Sequence, residues 1–158
     1  MGPLRPGDEE DHMPNEPIRR SDIPAWDCYQ LLEEQRVGRL TIIENGYPVA
    51  IPVSYRMAGD RADRRIVIRT APGTTLAQYE GRASLEVDHI DEQARTAWSV
   101  IARGTLHKLF GGDELPDPQP WLIDGRHQWL AISIVAVSGR RFIGRPADEG
   151  PGLEWRFA

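Results

Sequence analysis

Apolar and polar positions change rhythm several times along the chain, and the changes mark its elements. Pro24 suits the first turn of a helix, and Ser21 or Asp22 is placed to cap it. Trp26, Tyr29, Leu31 and Leu32 then form an apolar stripe that Gly38 ends. From there the period shortens to two. Arg39 to Glu44 alternates toward Asn45-Gly46, the strongest hairpin signal in the chain, and Tyr47 to Met57 returns with Val49, Ile51, Val53 and Tyr55 on one face. Pro48 and Pro52 lie inside that return strand, which predicts an edge position or a bulge.

After a polar turn over Gly59 to Arg64, Arg65 to Thr70 predicts a third strand with Ile66 and Ile68 inward. Ala71-Pro72-Gly73 breaks the sheet. Thr74 or Thr75 can cap a short helix reaching Tyr79, stopped by Gly81. Ser84 to His89 and Thr96 to His107 form a long antiparallel pair joined at Asp91-Glu92, and Phe110 to Pro120 is a loop rich in glycine and proline. Gln128 to Val137 is a last strand, which Gly139 to Ile143 extends or bends. About six strands with short turns and intervening short helices predict a mainly β, small antiparallel barrel.

Composition narrows the classes. The 158 residues suit one domain, read as an acidic, proline-bearing tail over 1–20, a barrel over 21–145 and a C-terminal tail over 146–158. No apolar run approaches the roughly 20 residues needed to cross a bilayer, and the acidic start does not read as a secretory leader. Cys28 is the one cysteine, so no internal disulfide or cysteine-based zinc cluster is expected, which suits a reducing cytoplasm. A net charge of −5 argues against general nucleic-acid binding. Lys108 is the lone lysine, so positive charge is carried almost wholly by arginine.

The candidate chemistry is thin. His12, His89, His107 and His127 show none of the spacings that a zinc site requires, and no nucleophile-elbow, Walker or dinucleotide fingerprint is present. Glu86 and Asp88 are read as lying on opposite sides, with Asp88 at a turn, a poor acid–base pair. Arg69 at a strand end, with the hydroxyls of Thr70, Thr74 and Thr75 and the first amides of the following helix, could hold a phosphate; a surface arginine beside an ordinary threonine cap fits the same residues. Arg140, Arg141 and Arg145 form a second basic cluster that reads equally as an anion site or a solvated strand end.

Several phrases, in order, carry a resemblance. Val37-Gly38-Arg39-Leu40, then Asn45-Gly46-Tyr47-Pro48 and Ile51-Pro52-Val53, resemble the opening hairpin of the FMN-binding split barrels related to pyridoxamine 5'-phosphate oxidase. Arg65 to Thr70 followed by Gly73-Thr74-Thr75-Leu76 resembles that family's phosphate-binding segment. Leu85-Glu86-Val87-Asp88, Trp98-Ser99-Val100 with Gly104, Pro120-Trp121 and Gly139-Arg140-Arg141 resemble its branch related to nitroimidazole reductases. Where many relatives have a lysine after the phosphate-loop glycine, this chain has Thr74 and Thr75, and Ala97 stands where many have glycine before the tryptophan.

The resemblance implies a six-stranded antiparallel split β-barrel that pairs as a homodimer, with FMN in the groove between subunits. It also implies redox exchange between a reduced nicotinamide and a small acceptor such as a nitro-aromatic, a quinone or dioxygen. The flavin contacts it suggests are Pro52, Val53, Ser54, Tyr55 and Ile68 along the ring. Arg69, Thr70, Thr74 and Thr75 fall at the phosphate, and Trp98 and Ser99 would come from the second subunit. No side chain is assigned as an acid or base. The same fold also holds deazaflavin or haem, and a non-enzymatic flavin-binding or sensing dimer is the rival from another class.

Overall fold

The computed structural model describes residues 19–110, 114–121, 125 and 128–144. The acidic tail up to residue 18, the C-terminal tail, Arg145, His12 and His127 lie outside the described residues. In chain order the elements are β1 (Arg19–Ile23), α1 (Ala25–Glu34), β2 (Val37–Glu44), β3 (Tyr47–Ala58), β4 (Arg65–Thr70), α2 (Thr75–Gln78), β5 (Gly81–Asp91), β6 (Thr96–Leu109) and β7 (Gln128–Ile143). The strand order β1-β7-β4-β3-β2-β5-β6, with β6 also paired to β7, closes six strands into a ring. All pairings are antiparallel. The mainly β barrel expected from the pattern is the fold of the chain, and β1 is an additional strand laid on β7.

That added strand corrects the reading of the first helix. Ser21 and Asp22 do not cap α1; they belong to β1 and pair with Arg141 and Arg140 of β7. Pro24 occupies the N-cap position without a side-chain bond, and its carbonyl accepts the Cys28 amide at 3.0 Å. The helix ends at Glu34, where Gln35 turns extended, rather than at Gly38. Gly38 serves β2 instead. A Cβ there would stand 2.9 Å from the Glu86 carbonyl oxygen, so glycine lets β2 and β5 approach closely.

Other signals act as read. Asn45 and Gly46 both adopt positive φ (51° and 82°), the mirror-image turn that matches strand twist. The two prolines of β3 also find a physical reason. β2 pairs with β3 along Tyr47 to Ser54, but β4 joins only from Tyr55 to Ala58. Among the described residues, one edge of Tyr47 to Ser54 is therefore open. The Tyr55 amide donates to Arg36 on the β2 side at 3.0 Å, so by alternation the backbone groups of Pro48, Ala50, Pro52 and Ser54 turn to the open edge. Proline lacks the amide that would be unpaired there.

Inside the ring, Leu40, Ile42, Tyr55, Ile66, Ile68, Leu85, Leu106, Leu130 and Ile132 are buried, and α1 lids one end with Cys28 and Leu32. Each such side chain contributes about 1.5–3 kcal/mol on burial. Tyr55 joins lid to barrel, its hydroxyl donating to the Leu32 carbonyl at 2.6 Å. Burial pushes its phenol well above the ordinary range, so it stays a neutral donor.

Candidate functional site

The open half of β3 is one wall of a cavity of about 600 Å³. Ile51, Pro52, Val53 and Ser54 supply that wall and Val37 its base; Arg69 and Thr70 close it from the end of β4. Thr74, Thr75 and Leu76 line the turn into α2, and Pro120 and Trp121 reach in from the long loop. The lining is mostly apolar, with its polar groups gathered at one corner. Seven of the residues proposed from sequence meet here: Pro52, Val53, Ser54, Arg69, Thr70, Thr74 and Thr75.

Hydrogen-bond arithmetic decides what that corner can offer. Thr74 Oγ1 donates its single proton to the Ala71 carbonyl at 2.9 Å and accepts the Ala77 amide at 3.1 Å, capping α2. The 3.1 Å contact between Thr74 Oγ1 and Thr70 Oγ1 must then carry the Thr70 proton. Thr70, buried to 3% exposure, and Thr74 thus line the cavity with hydroxyl protons already engaged. To serve as phosphate donors they would have to give up these bonds. Thr75 keeps its hydroxyl unengaged among the described residues. The four-residue α2 is too short for a substantial helix dipole, so its N-terminus adds little.

Arg69 is the cationic group of the lining. Its guanidinium lies 5.1 Å from the Trp129 ring centroid, which fixes its plane. One nitrogen, Nη1, touches both oxygens of Asp117 at 3.0 Å. Asp117 belongs to the loop that also carries Pro120 and Trp121, and it accepts the Gln119 amide at 2.9 Å. That amide first, and Arg69 second, hold its carboxyl below the ordinary aspartate range. Arg56 binds the same loop through Gln119 Oε1 at 3.3 Å. The spacing of residues gave no signal for this carboxylate, because its partner is 48 positions away.

The remaining predicted residues lie elsewhere. Tyr55 and Ile68 are core side chains with 0% and 1% exposure and are not among the residues lining the cavity. The β3 face that lines the cavity at Ile51 and Val53 becomes interior at Tyr55, where β4 joins the sheet. Trp98 lines a separate pocket of about 170 Å³ with His89, Thr96, Ala97, Arg141, Phe142 and Ile143. Ser99 pairs with Asp88 and Arg140 and lines neither cavity. Within one chain neither Trp98 nor Ser99 contributes to the larger cavity. Glu86 and Asp88 share a face of β5, since that strand runs on to Asp91, and Asp88 is held by Arg39 at 2.7 Å. Sequence reasoning left out Val37, Ile51, Leu76, Pro120 and Trp121 as lining; the apolar alternation of β3 was the signal available for Ile51.

No cluster of three or more His, Cys, Asp or Glu side chains placed to hold a metal ion occurs among the described residues, and no described helix is long and apolar enough to cross a membrane. The geometry defines a six-stranded split barrel with a lateral cavity at an unpaired strand edge. The profile of the pyridoxamine 5'-phosphate oxidase family matches residues 24–141, and the chain belongs to that family. No curated protein matches.

Among solved structures, a conserved protein of unknown function from Corynebacterium diphtheriae is similar at 24% identity and a TM-score of 0.66, covering 78% of this chain and 98% of its own. An FAD-binding protein from Mesorhizobium loti is similar at 24% identity and a TM-score of 0.63, covering 81% and 100%. A protein from Bacteroides thetaiotaomicron, named for a proposed role in 5-nitroimidazole antibiotic resistance, shares 8% identity at a TM-score of 0.59, covering 80% and 90%.

Proposed function

We propose that this protein is a flavin-dependent oxidoreductase that takes FMN, draws electrons from a reduced nicotinamide and passes them to a small acceptor such as a nitro-aromatic, a quinone or dioxygen. The carrying observation is the meeting, in one cavity, of an unpaired β3 edge, an apolar wall and the guanidinium of Arg69. A flavin ring is planar, apolar at its centre and polar along one edge. The open amides of Ala50 and Ser54 and the open carbonyls of Ala50, Pro52 and Ser54 suit that edge, and Ile51, Val53, Leu76 and Trp121 suit the face. A volume of about 600 Å³ is within the range of small-molecule sites.

The phosphate corner fits through Arg69 and Thr75 rather than through the full set of threonines. When bound, the flavin supplies hydride acceptance and release at its N5 position. The chain's part is to orient the ring against β3, fix its phosphate and leave the face beside Trp121 accessible to one planar partner. The described lining contains no carboxylate or imidazole, which suits chemistry in which the cofactor performs the difficult step.

Two chains pairing to complete the site is part of the proposal, supported by the exposure of large apolar residues such as Trp121 (87%) and Phe110 (92%). A reducing cytoplasm as the place of action is likewise proposed, on the single buried thiol of Cys28. The choice of FMN rests on the family resemblance, and FAD, named for the Mesorhizobium loti protein, is the other flavin to separate.

The test is the visible spectrum of the purified protein, the mass of its heat-released cofactor, and turnover of reduced nicotinamide against a panel of acceptors. A two-banded yellow spectrum with the FMN mass and measurable turnover supports the proposal. A deazaflavin or Soret spectrum would replace the cofactor. FMN binding without turnover would favour a sensing dimer, and a colourless protein that ignores added flavin would overturn the reading.

A further inference from the structure

We propose that Asp117 is a specificity-determining residue of the cavity: its carboxylate occupies the anion position at Arg69 and sets how strongly the site favours a ligand carrying a phosphate. The inference rests on the reading of the Arg69 corner as the end of the cavity that takes the cofactor phosphate.

Three observations carry it. First, both Asp117 oxygens lie 3.0 Å from Arg69 Nη1, so an anionic group of this chain is already bound to the cationic side chain of the cavity. Second, the contact uses one guanidinium nitrogen rather than the parallel two-nitrogen fork that makes such pairs strong, and the Asp117 side chain is half exposed. Such a pair is displaceable. Third, the loop holds the carboxylate in place independently of Arg69. The Gln119 amide donates to Asp117 Oδ1 at 2.9 Å, and Gln119 Oε1 is in turn bound by Arg56 at 3.3 Å. Gln119 keeps a φ of +50°, an uncommon conformation for a non-glycine residue, which aims its amide at the carboxylate.

A phosphate entering the corner therefore meets a carboxylate of like charge that competes with it for Arg69. The same loop contributes Pro120 and Trp121 to the cavity wall. An uncharged flavin lacking the phosphate has no such competitor. Asp117 thus narrows the difference in affinity between a phosphorylated and an unphosphorylated ligand.

The experiment is calorimetric titration of the full chain and its Asp117→Asn variant with FMN, riboflavin and inorganic pyrophosphate. Asparagine retains the acceptor for the Gln119 amide, and a thermal melt verifies that the fold is kept. The expected result is FMN and pyrophosphate binding tighter by roughly tenfold, as when a competitor for one charge-assisted bond is removed, with riboflavin unchanged. In an Arg69→Gln background the gain from Asp117→Asn is expected to vanish.

Unchanged or weaker binding of both FMN and pyrophosphate in Asp117→Asn would overturn the assignment while leaving a flavin site intact. If pyrophosphate tightens but neither flavin binds, Asp117 governs an anion site and the flavin reading falls. If no probe binds either protein, both fall.

Discussion

Along the seam between β6 and β7, fourteen residue pairs follow from Thr96↔Ile143 to Leu109↔Trp129, broken once by the shift at Arg103/Gly104. Across the barrel, β3 meets β4 at four pairs only, Tyr55↔Ile68 to Ala58↔Arg65. Both regions are antiparallel strands rich in β-branched residues, yet one is continuous and the other stops short. Where pairing continues, backbone groups are satisfied within the fold and side chains fill the interior. Where it stops, backbone groups and a row of apolar side chains face a cavity. On the proposed function the barrel's stability rests on the first region and its binding on the second, so substitutions should separate the two.

The largest effect is expected at the closed seam. A Cβ on Gly104 would stand 2.0 Å from the Ser133 carbonyl oxygen, a clash with backbone that no rotamer relieves. Gly104→Val should cost about 3 kcal/mol or more, read as a lowered midpoint in urea unfolding. A midpoint equal to that of the parent would mean that the bulge opens freely and that the seam is not the rigid part. Next comes Tyr55→Phe, which leaves the Leu32 carbonyl without its donor and should cost about 1–3 kcal/mol. Because Tyr55 faces the core, its loss should leave flavin affinity within twofold; a larger change would return it to the cavity.

Thr74→Ala removes the cap of α2 and should destabilise by about 1 kcal/mol in the same unfolding assay. It also frees the Thr70 proton, so FMN should bind no more weakly to this variant, whereas weaker binding would restore Thr74 as a phosphate donor.

The smallest effect is on acid titration. The Asp117 carboxyl titrates below the ordinary range when folded, so its stabilising contribution is present above that range and is lost as the pH falls through the folded value. Exposure keeps the contribution small. Tryptophan emission should report release of the loop bearing Trp121 on the acid side, and Asp117→Asn should remove that step.

Much of the closed region was legible in the residues. Asn45-Gly46 specifies its turn by positive φ, Arg65 to Thr70 is β4 to the residue, and Thr74 caps α2 through the bond its side chain predicts. These signals are local, and local rules suffice. β1 was not legible because Arg19 to Ile23 shows no alternation and owes its strand form to β7, more than a hundred residues away.

The cavity was legible in part. Seven proposed residues converge because β3 and the β4–α2 turn are each set by nearby sequence. Tyr55 and Ile68 fall outside the lining because alternation gives the face of a strand but not the point at which a neighbouring strand covers it. Asp117 was invisible because its importance lies in an ion pair across the loop. Trp98 and Ser99 are remote from the cavity within one chain, and their part in the site belongs to the proposed pairing of two chains, which periodicity cannot reveal.

The most direct test of the central claim is titration of the apoprotein with FMN and with riboflavin, in the parent and in Arg69→Gln. The account predicts that FMN binding weakens by roughly tenfold or more when the guanidinium is removed, as for a lost charge-assisted bond, while riboflavin binding is unchanged. Equal losses for both ligands, or no loss for FMN, would contradict it and detach the Arg69 corner from any phosphate.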